Sequence, residues 1–272
     1  MKAVSRMALT IALLIGSICR AVAQEPAGGH DATALAKASQ NPVGDLISLP
    51  FQFNFNTGGA FEDRTFINLN FQPVMPIKVT PRLNLIARTI VPVVSIPAPE
   101  GLRYSGVADI QQQLFFTPSS PGKLIWGVGP AFSLPTATAD AARTGTWAAG
   151  LDGVALTMHG PWVIGGLVSQ FWPMTDEGGS PETNQFVFQW FVNYNFGQGW
   201  ALSTAPLITA NWDAEEGQRW TVPMGIGITK TTAFNGRPMS LGVQYYYNVE
   251  RPDGVAATQL RFSVALLYPI RK

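Results

Sequence analysis

Gln185-Phe-Val-Phe-Gln-Trp-Phe-Val-Asn-Tyr-Asn195 sets Phe186, Phe188, Trp190, Val192 and Tyr194 against Gln185, Gln189, Asn193 and Asn195. The period is two, which places alternate side chains on opposite faces of a strand. One face is aromatic and the other carries amides. Such a segment, about ten residues long, suits a strand with lipid on one side and a polar interior on the other.

The same code recurs along the chain. Ile47, Leu49, Phe51, Phe53 and Phe55 alternate with Ser48, Pro50, Gln52, Asn54 and Asn56; Ile67, Leu69 and Phe71 oppose Asn68, Asn70 and Gln72. Leu83, Leu85, Ala87 and Val91 oppose Asn84, Arg88 and Ile90, and Asp109, Gln111 and Gln113 share one face. Leu124, Trp126, Val128, Phe132 and Leu134 form another apolar row. Weaker, glycine-rich candidates run from Trp147 to Met158 and from Trp162 to Trp172, with further strands over 200–212, 220–229 and 239–248. Leu260, Phe262, Val264, Leu266 and Tyr268 complete the set in a pattern that resembles the closing strand read by the barrel-assembly machinery. The count is twelve, with ten and fourteen the neighbouring even numbers.

Composition points the same way. Charged residues are 13% of the chain, against about 25% in ordinary soluble domains. There are 8 Trp and 16 Phe, and past the first residues no apolar run reaches the length of a membrane helix. Lys2 and Arg6, the apolar run Met7–Ile18 and Ala21-Val-Ala23 read as a secretory leader. Ile18 is not the small residue that lipid attachment at Cys19 would need. Removing residues 1–23 takes away the only cysteine and leaves 15 basic against 17 acidic residues. Nothing in that balance suggests nucleic acid. The expected organisation is a leader (1–23), a periplasmic extension (24–44) with a weak helical stretch from Asp31 to Ser39, and a transmembrane antiparallel up-and-down β-barrel (45–272).

Tryptophans at strand ends (147, 162, 172, 200, 212, 220) fit an interfacial girdle. With the N-terminus periplasmic, 12 of the 17 acids fall in outer loops, while Lys78, Lys123, Lys230 and Arg237 fall in inner turns. Catalytic chemistry is sparse. His30 and His159 are the only histidines, Ser169 lies at the far end of a strand from His159, and no His/Asp/Glu group has metal spacing. No cofactor is expected. Arg88, Asp109, Asp152 and Arg261 are charges in mid-strand, and on the lipid face an Arg would cost about 2–4 kcal/mol. They are therefore expected inside, with Gln111, Gln113, Gln185 and Gln189 as further lumen-lining candidates. Arg88 and Asp109, on neighbouring strands, are the expected ion pair. The constellation reads either as a polar filter for solutes or as a salt-bridged filling.

Several stretches carry a family resemblance: Asp31 to Asn56, Asn84-Leu-Ile-Ala-Arg-Thr-Ile-Val-Pro-Val93, Pro121-Gly-Lys-Leu-Ile-Trp-Gly-Val-Gly-Pro130, Ile208-Thr-Ala-Asn-Trp212 and Tyr247-Asn-Val-Glu-Arg-Pro-Asp-Gly254. Together they resemble proteobacterial outer-membrane barrels related to the MetA-pathway phenol-degradation proteins, a group labelled "transporter" or "neuromedin U". The resemblance implies passive passage of small solutes, aromatic or hydrophobic ones among them, and carries over no catalytic or binding residue. The alternatives are a closed structural or interaction barrel with acidic outer loops, and a membrane-embedded lipid hydrolase. The expected partners are outer-membrane lipid and lipopolysaccharide, the assembly machinery and a small-molecule solute.

Overall fold

The computed structural model describes residues 32–61, 64–174 and 184–270; the expected leader lies outside them. A single helix, α1 (Ala32–Ser39), precedes fifteen strand segments. These are β1 (Leu46–Thr57), β2 (Phe66–Phe71), β3 (Val74–Thr80), β4 (Leu83–Pro97), β5 (Arg103–Val107), β6 (Ile110–Pro118), β7 (Leu124–Leu134) and β8 (Ala148–His159). They continue with β9 (Trp162–Pro173), β10 (Gln185–Gly197), β11 (Trp200–Thr204), β12 (Leu207–Asn211), β13 (Trp220–Phe234), β14 (Arg237–Glu250) and β15 (Thr258–Pro269).

Three pairs of segments, β2/β3, β5/β6 and β11/β12, each make one interrupted crossing. Two breaks fall at Pro73 and Pro206, which have no N–H to give a ladder. The third is a bulge. Val93 pairs Val107 but Ile90 pairs Gln111, so one extra residue sits at Ala108–Asp109. Counted as crossings the strands number twelve, each antiparallel to its sequence neighbours. β15 pairs β1 from Leu46↔Pro269 to Thr57↔Thr258 and closes the ring. Closure satisfies every strand's backbone laterally, the condition for crossing lipid with sheet.

The alternation reads directly as outside and inside. Leu124, Trp126 and Val128 are exposed on the outer face of β7, while Gly127 and Ala131 are buried on the inner one. On β10, Tyr194 and Phe196 are exposed where Asn193 and Asn195 are buried. A belt of exposed apolar side chains this continuous marks a lipid-contacting surface. Its rims are aromatic. Trp162 packs edge-on to Tyr194 at 4.7 Å, and the Lys230 ammonium lies 5.0 Å over Trp200. At the other rim Trp212 and Trp220 meet at 5.4 Å, and the Trp212 indole N–H donates to Gln170 Oε1 at 3.0 Å. Indoles that are apolar on one side and hydrogen-bonded on the other belong at the headgroup layer.

Turns are tight at one end, such as Gly160–Pro161 and Asn235–Gly236, and connections are longer at the other. Outer-membrane barrels carry their short turns on the periplasmic side, so the short-turn end is named periplasmic below. The strands are longer there than sequence indicates. Lys78, Lys230 and Arg237, expected in inner turns, lie within β3, β13 and β14; for the last two the reason is that Asn235 and Gly236, both at positive φ, turn the chain in two residues.

Candidate functional site

The interior has two chemically different halves. On the periplasmic half, Ile86, Phe115, Val154, Leu156, Val163, Leu167 and Phe191 form a buried apolar cluster inside the barrel. Val43 of the N-terminal segment joins it, only 5% exposed. α1 caps this end, with Ala36 buried against the wall. Gln40 and Asn195 exchange two amide hydrogen bonds at 3.0 Å, and Lys37 Nζ donates to Gly160 O at 2.7 Å. Asn84 Nδ2 donates to Asp45 Oδ1 at 3.0 Å, fixing the point where the segment enters β1.

The rest of the lumen mixes amides and arginines with apolar side chains and divides into three chambers of about 460, 390 and 230 Å³, outermost first. Adjacent chambers share lining residues. Arg261 and Asn68 line both the outer and the central chamber; Arg88, Gln72 and Gln189 line both the central and the inner one. The inner chamber runs beside Gln40, Asn41 and Pro42, so the N-terminal segment is part of its wall.

Each candidate residue can now be placed. Arg88, on β4, donates from Nη2 to Gln72 Oε1 at 2.6 Å and from Nη1 to Gln113 Oε1 at 3.2 Å. Gln113 in turn donates to Ser169 Oγ at 3.2 Å and Asp152 Oδ1 at 3.4 Å. A belt therefore runs from β3's entrance across β4, β6, β8 and β9. Asp152 sits behind Gln113 and does not line a chamber. Its second oxygen is buried without a hydrogen-bond partner among the described residues.

Arg261, on β15, donates to Asn54 Oδ1 and Gln259 Oε1, both at 2.9 Å, and to Ala205 O at 3.3 Å. Its guanidinium lies 5.0 Å over the Tyr246 ring. Gln111 and Gln185 line the central chamber, and Gln189 lines it while donating to Ala205 O at 3.3 Å.

Asp109 departs from expectation. It is not the partner of Arg88. Its carboxylate accepts from Ala137 N at 2.9 Å, from Thr144 N at 3.0 Å and from the Thr144 hydroxyl. The bulge at Ala108–Asp109 aims it at the connection after β7, and Thr136 and Thr138 bond the backbone of Ile110 and Val107 in the same place. That connection folds inward, so Ala142 and Thr144 roof the central chamber. Replacing Asp109 with Ala strips three donors of a charged acceptor, each such bond worth about 1.5–3 kcal/mol. The expected result is trypsin cleavage after Arg143 in intact barrels at a clearly higher rate than in wild type, with Asp109→Asn intermediate.

The serine and histidine weighed for hydrolysis are far from a pair. Ser169 is fully buried in the lumen, bonded by Gln113, whereas His159 is exposed on the outward face at a periplasmic turn. Arg64 was not foreseen. It lines the outer chamber and gives its guanidinium to the carbonyls of Ala98, Gly101 and Leu102, tying two outer connections together.

With this geometry the chain superposes on the COG4313 outer membrane channel from Pseudomonas putida F1, with a TM-score of 0.61, 14% identity, and coverage of 82% of this chain and 94% of that one. The chain has the fold of an outer-membrane β-barrel. Weaker likenesses extend to outer membrane phospholipase A from Escherichia coli (TM-score 0.42, 12% identity, covering 82% and 97%). OmpF from Salmonella typhi, in complex with daunomycin, matches at TM-score 0.39 and 10% identity, covering 82% and 96%. No protein-family model matches the sequence, and no curated protein matches it as a sequence relative. At these identities the shared property is the barrel.

Proposed function

We propose that this barrel is a channel for passive passage of small solutes across the outer membrane. The observation that carries it is the file of three chambers with shared walls, running from the outer mouth to the side of α1. A lumen built only as filling would be packed throughout like its apolar half. The resemblance to MetA-pathway barrels adds aromatic compounds as solutes, and the apolar wall at Leu167 and Phe171 suits them. Lipid and lipopolysaccharide surround the barrel, and the assembly machinery inserts it; neither role needs the lumen. No catalytic group is proposed.

A second reading, a closed barrel that works through its outer loops, is favoured by Val43 and α1 at the periplasmic end. Planar bilayers separate the two. Purified protein gives discrete single-channel steps if the channel reading holds. Silence from both the full chain and a form lacking residues 24–44 would sink it.

A further inference from the structure

Two arginines stand where chambers meet, while a third, Arg64, lines the outer chamber with its guanidinium tied to loop carbonyls. Passing from the outer to the central chamber, a solute meets Arg261; passing from the central to the inner, it meets Arg88. Neither side chain is neutralised by direct contact with a carboxylate among the described residues. Their hydrogen bonds go to amide and carbonyl oxygens, and each guanidinium has five N–H donors. Two donors of Arg88 and three of Arg261 are engaged this way. Asp109 is taken up by the inward loop; Asp152 lies behind Gln113 and Ser169, near enough to attract Arg88 through space but hydrogen-bonded by Gln113 and not by the guanidinium.

The chamber between the arginines has two kinds of wall. Amides such as Asn70 and Gln111 project from β2 and β6, with Ile90, Pro92 and Val94 of β4 between them, while the wall opposite, Leu167, Phe171, Val187 and Leu207 of β9, β10 and β12, is more uniformly apolar. At about 390 Å³ it falls toward the lower end of the range for small-molecule sites, about 300–1,000 Å³. A guanidinium with free N–H groups matches a carboxylate fork, and an apolar wall matches a ring or short chain.

We infer that the central chamber is a binding site for a small amphipathic organic carboxylate, handed between Arg261 and Arg88, and that the open channel prefers anions. The inference rests on the channel reading. It assigns the anion preference to the two constrictions and not to the mouth, where outer-loop acids such as Glu215, Glu216 and Asp253 favour cations. These exposed acids are screened at high salt, with a Debye length of roughly 3 Å at about 1 M against about 10 Å at 0.1 M. The buried arginines are screened far less.

The test is reversal potential under a KCl gradient between those two concentrations, followed by block of the chloride current with benzoate. Benzyl alcohol and benzylammonium serve as the neutral and cationic controls. The expected result is a potential of the sign set by chloride and block by benzoate alone. In Arg88→Gln and Arg261→Gln the block weakens about tenfold, the worth of one charge-assisted hydrogen bond. Arg88→Lys and Arg261→Lys keep the anion preference and lose part of the block, since an ammonium cannot offer the fork. Heat-modifiable mobility on a gel confirms that each variant is folded. A conducting wild-type channel that prefers cations, or that benzoate and benzyl alcohol block equally, overturns the inference and leaves the channel standing. A wild type that never conducts removes the channel reading itself.

Discussion

Deleting residues 24–44 is expected to raise single-channel conductance several-fold while leaving the barrel folded. The inner chamber, at about 230 Å³, is the smallest of the three, and Gln40, Asn41 and Pro42 are part of its wall. Removing this wall opens the periplasmic exit below Arg88, where the inner chamber is confined by the segment. The barrel should survive the loss because its twelve crossings close on one another through β1 and β15 without help from α1. A point change makes the same case with less chain removed. Val43 sits in the apolar cluster with Ile86, Phe115 and Phe191, a burial worth about 1.5–3 kcal/mol for its side chain. A carboxylate there costs several kcal/mol in desolvation, which exceeds that anchor. Val43→Glu should therefore release the segment and reproduce the higher conductance. Unchanged conductance in both variants would show that solutes do not pass beside the segment.

The fold was legible because lipid enforces contrast. β1 and β10 must be apolar outside and polar inside, so Phe53 beside Asn54, or Tyr194 beside Asn193, announces facing without any knowledge of neighbours. The same reasoning points the four charges inward, since none could face lipid cheaply, but it does not say which of them meets a chamber: Asp152 lies behind Gln113. The helix over Ala32–Ser39 also lies where the alanine-rich stretch indicates it. Where the interior is itself apolar, the contrast vanishes. β8 and β9 carry Val154, Leu156, Val163 and Leu167 inward and Leu151, Ile164 and Val168 outward. No polarity difference separates those rows, so the sequence by itself assigns neither their facing nor the apolar half of the lumen.

Partners inside the lumen were less legible than facing. Arg88 and Asp109 lie on adjacent crossings, and charge alone suggests that they meet. The bulge at Ala108–Asp109 decides otherwise by aiming Asp109 at the connection after β7. A bulge is a backbone irregularity with no strong residue signature here, so sequence spacing could not supply it. The belt through Gln72, Arg88, Gln113 and Ser169 likewise depends on register across four crossings.

The apolar half of the lumen also makes one glycine indispensable. Gly165→Val is expected to abolish the folded, heat-modifiable form, while Gly166→Ala, one residue on, leaves it intact. Gly165 faces inward between Leu156 of β8 and Phe191 of β10, its direct cross-strand partners. A Cβ there would lie 2.5 Å from Leu156 Cβ, 2.6 Å from Ala155 O and 2.7 Å from Phe191 Cζ. Directly opposed Cβ atoms normally stand about 4.5–5.5 Å apart, and the carbonyl is backbone that the ladder holds in place. Moving the Phe191 ring alone therefore cannot make room. The ring lying over the glycine is itself stabilising, as aromatic cover is for strand glycines elsewhere. Gly166 faces lipid, where the nearest atoms to its Cβ would be the Phe188 ring edge at 3.1 and 3.6 Å, which can swing outward, and Gln189 O at 3.9 Å. Refolding into detergent micelles, followed by gel mobility with and without boiling, reads both outcomes. Folded Gly165→Val barrel at wild-type yield would mean that β8, β9 and β10 do not approach as closely as this packing requires.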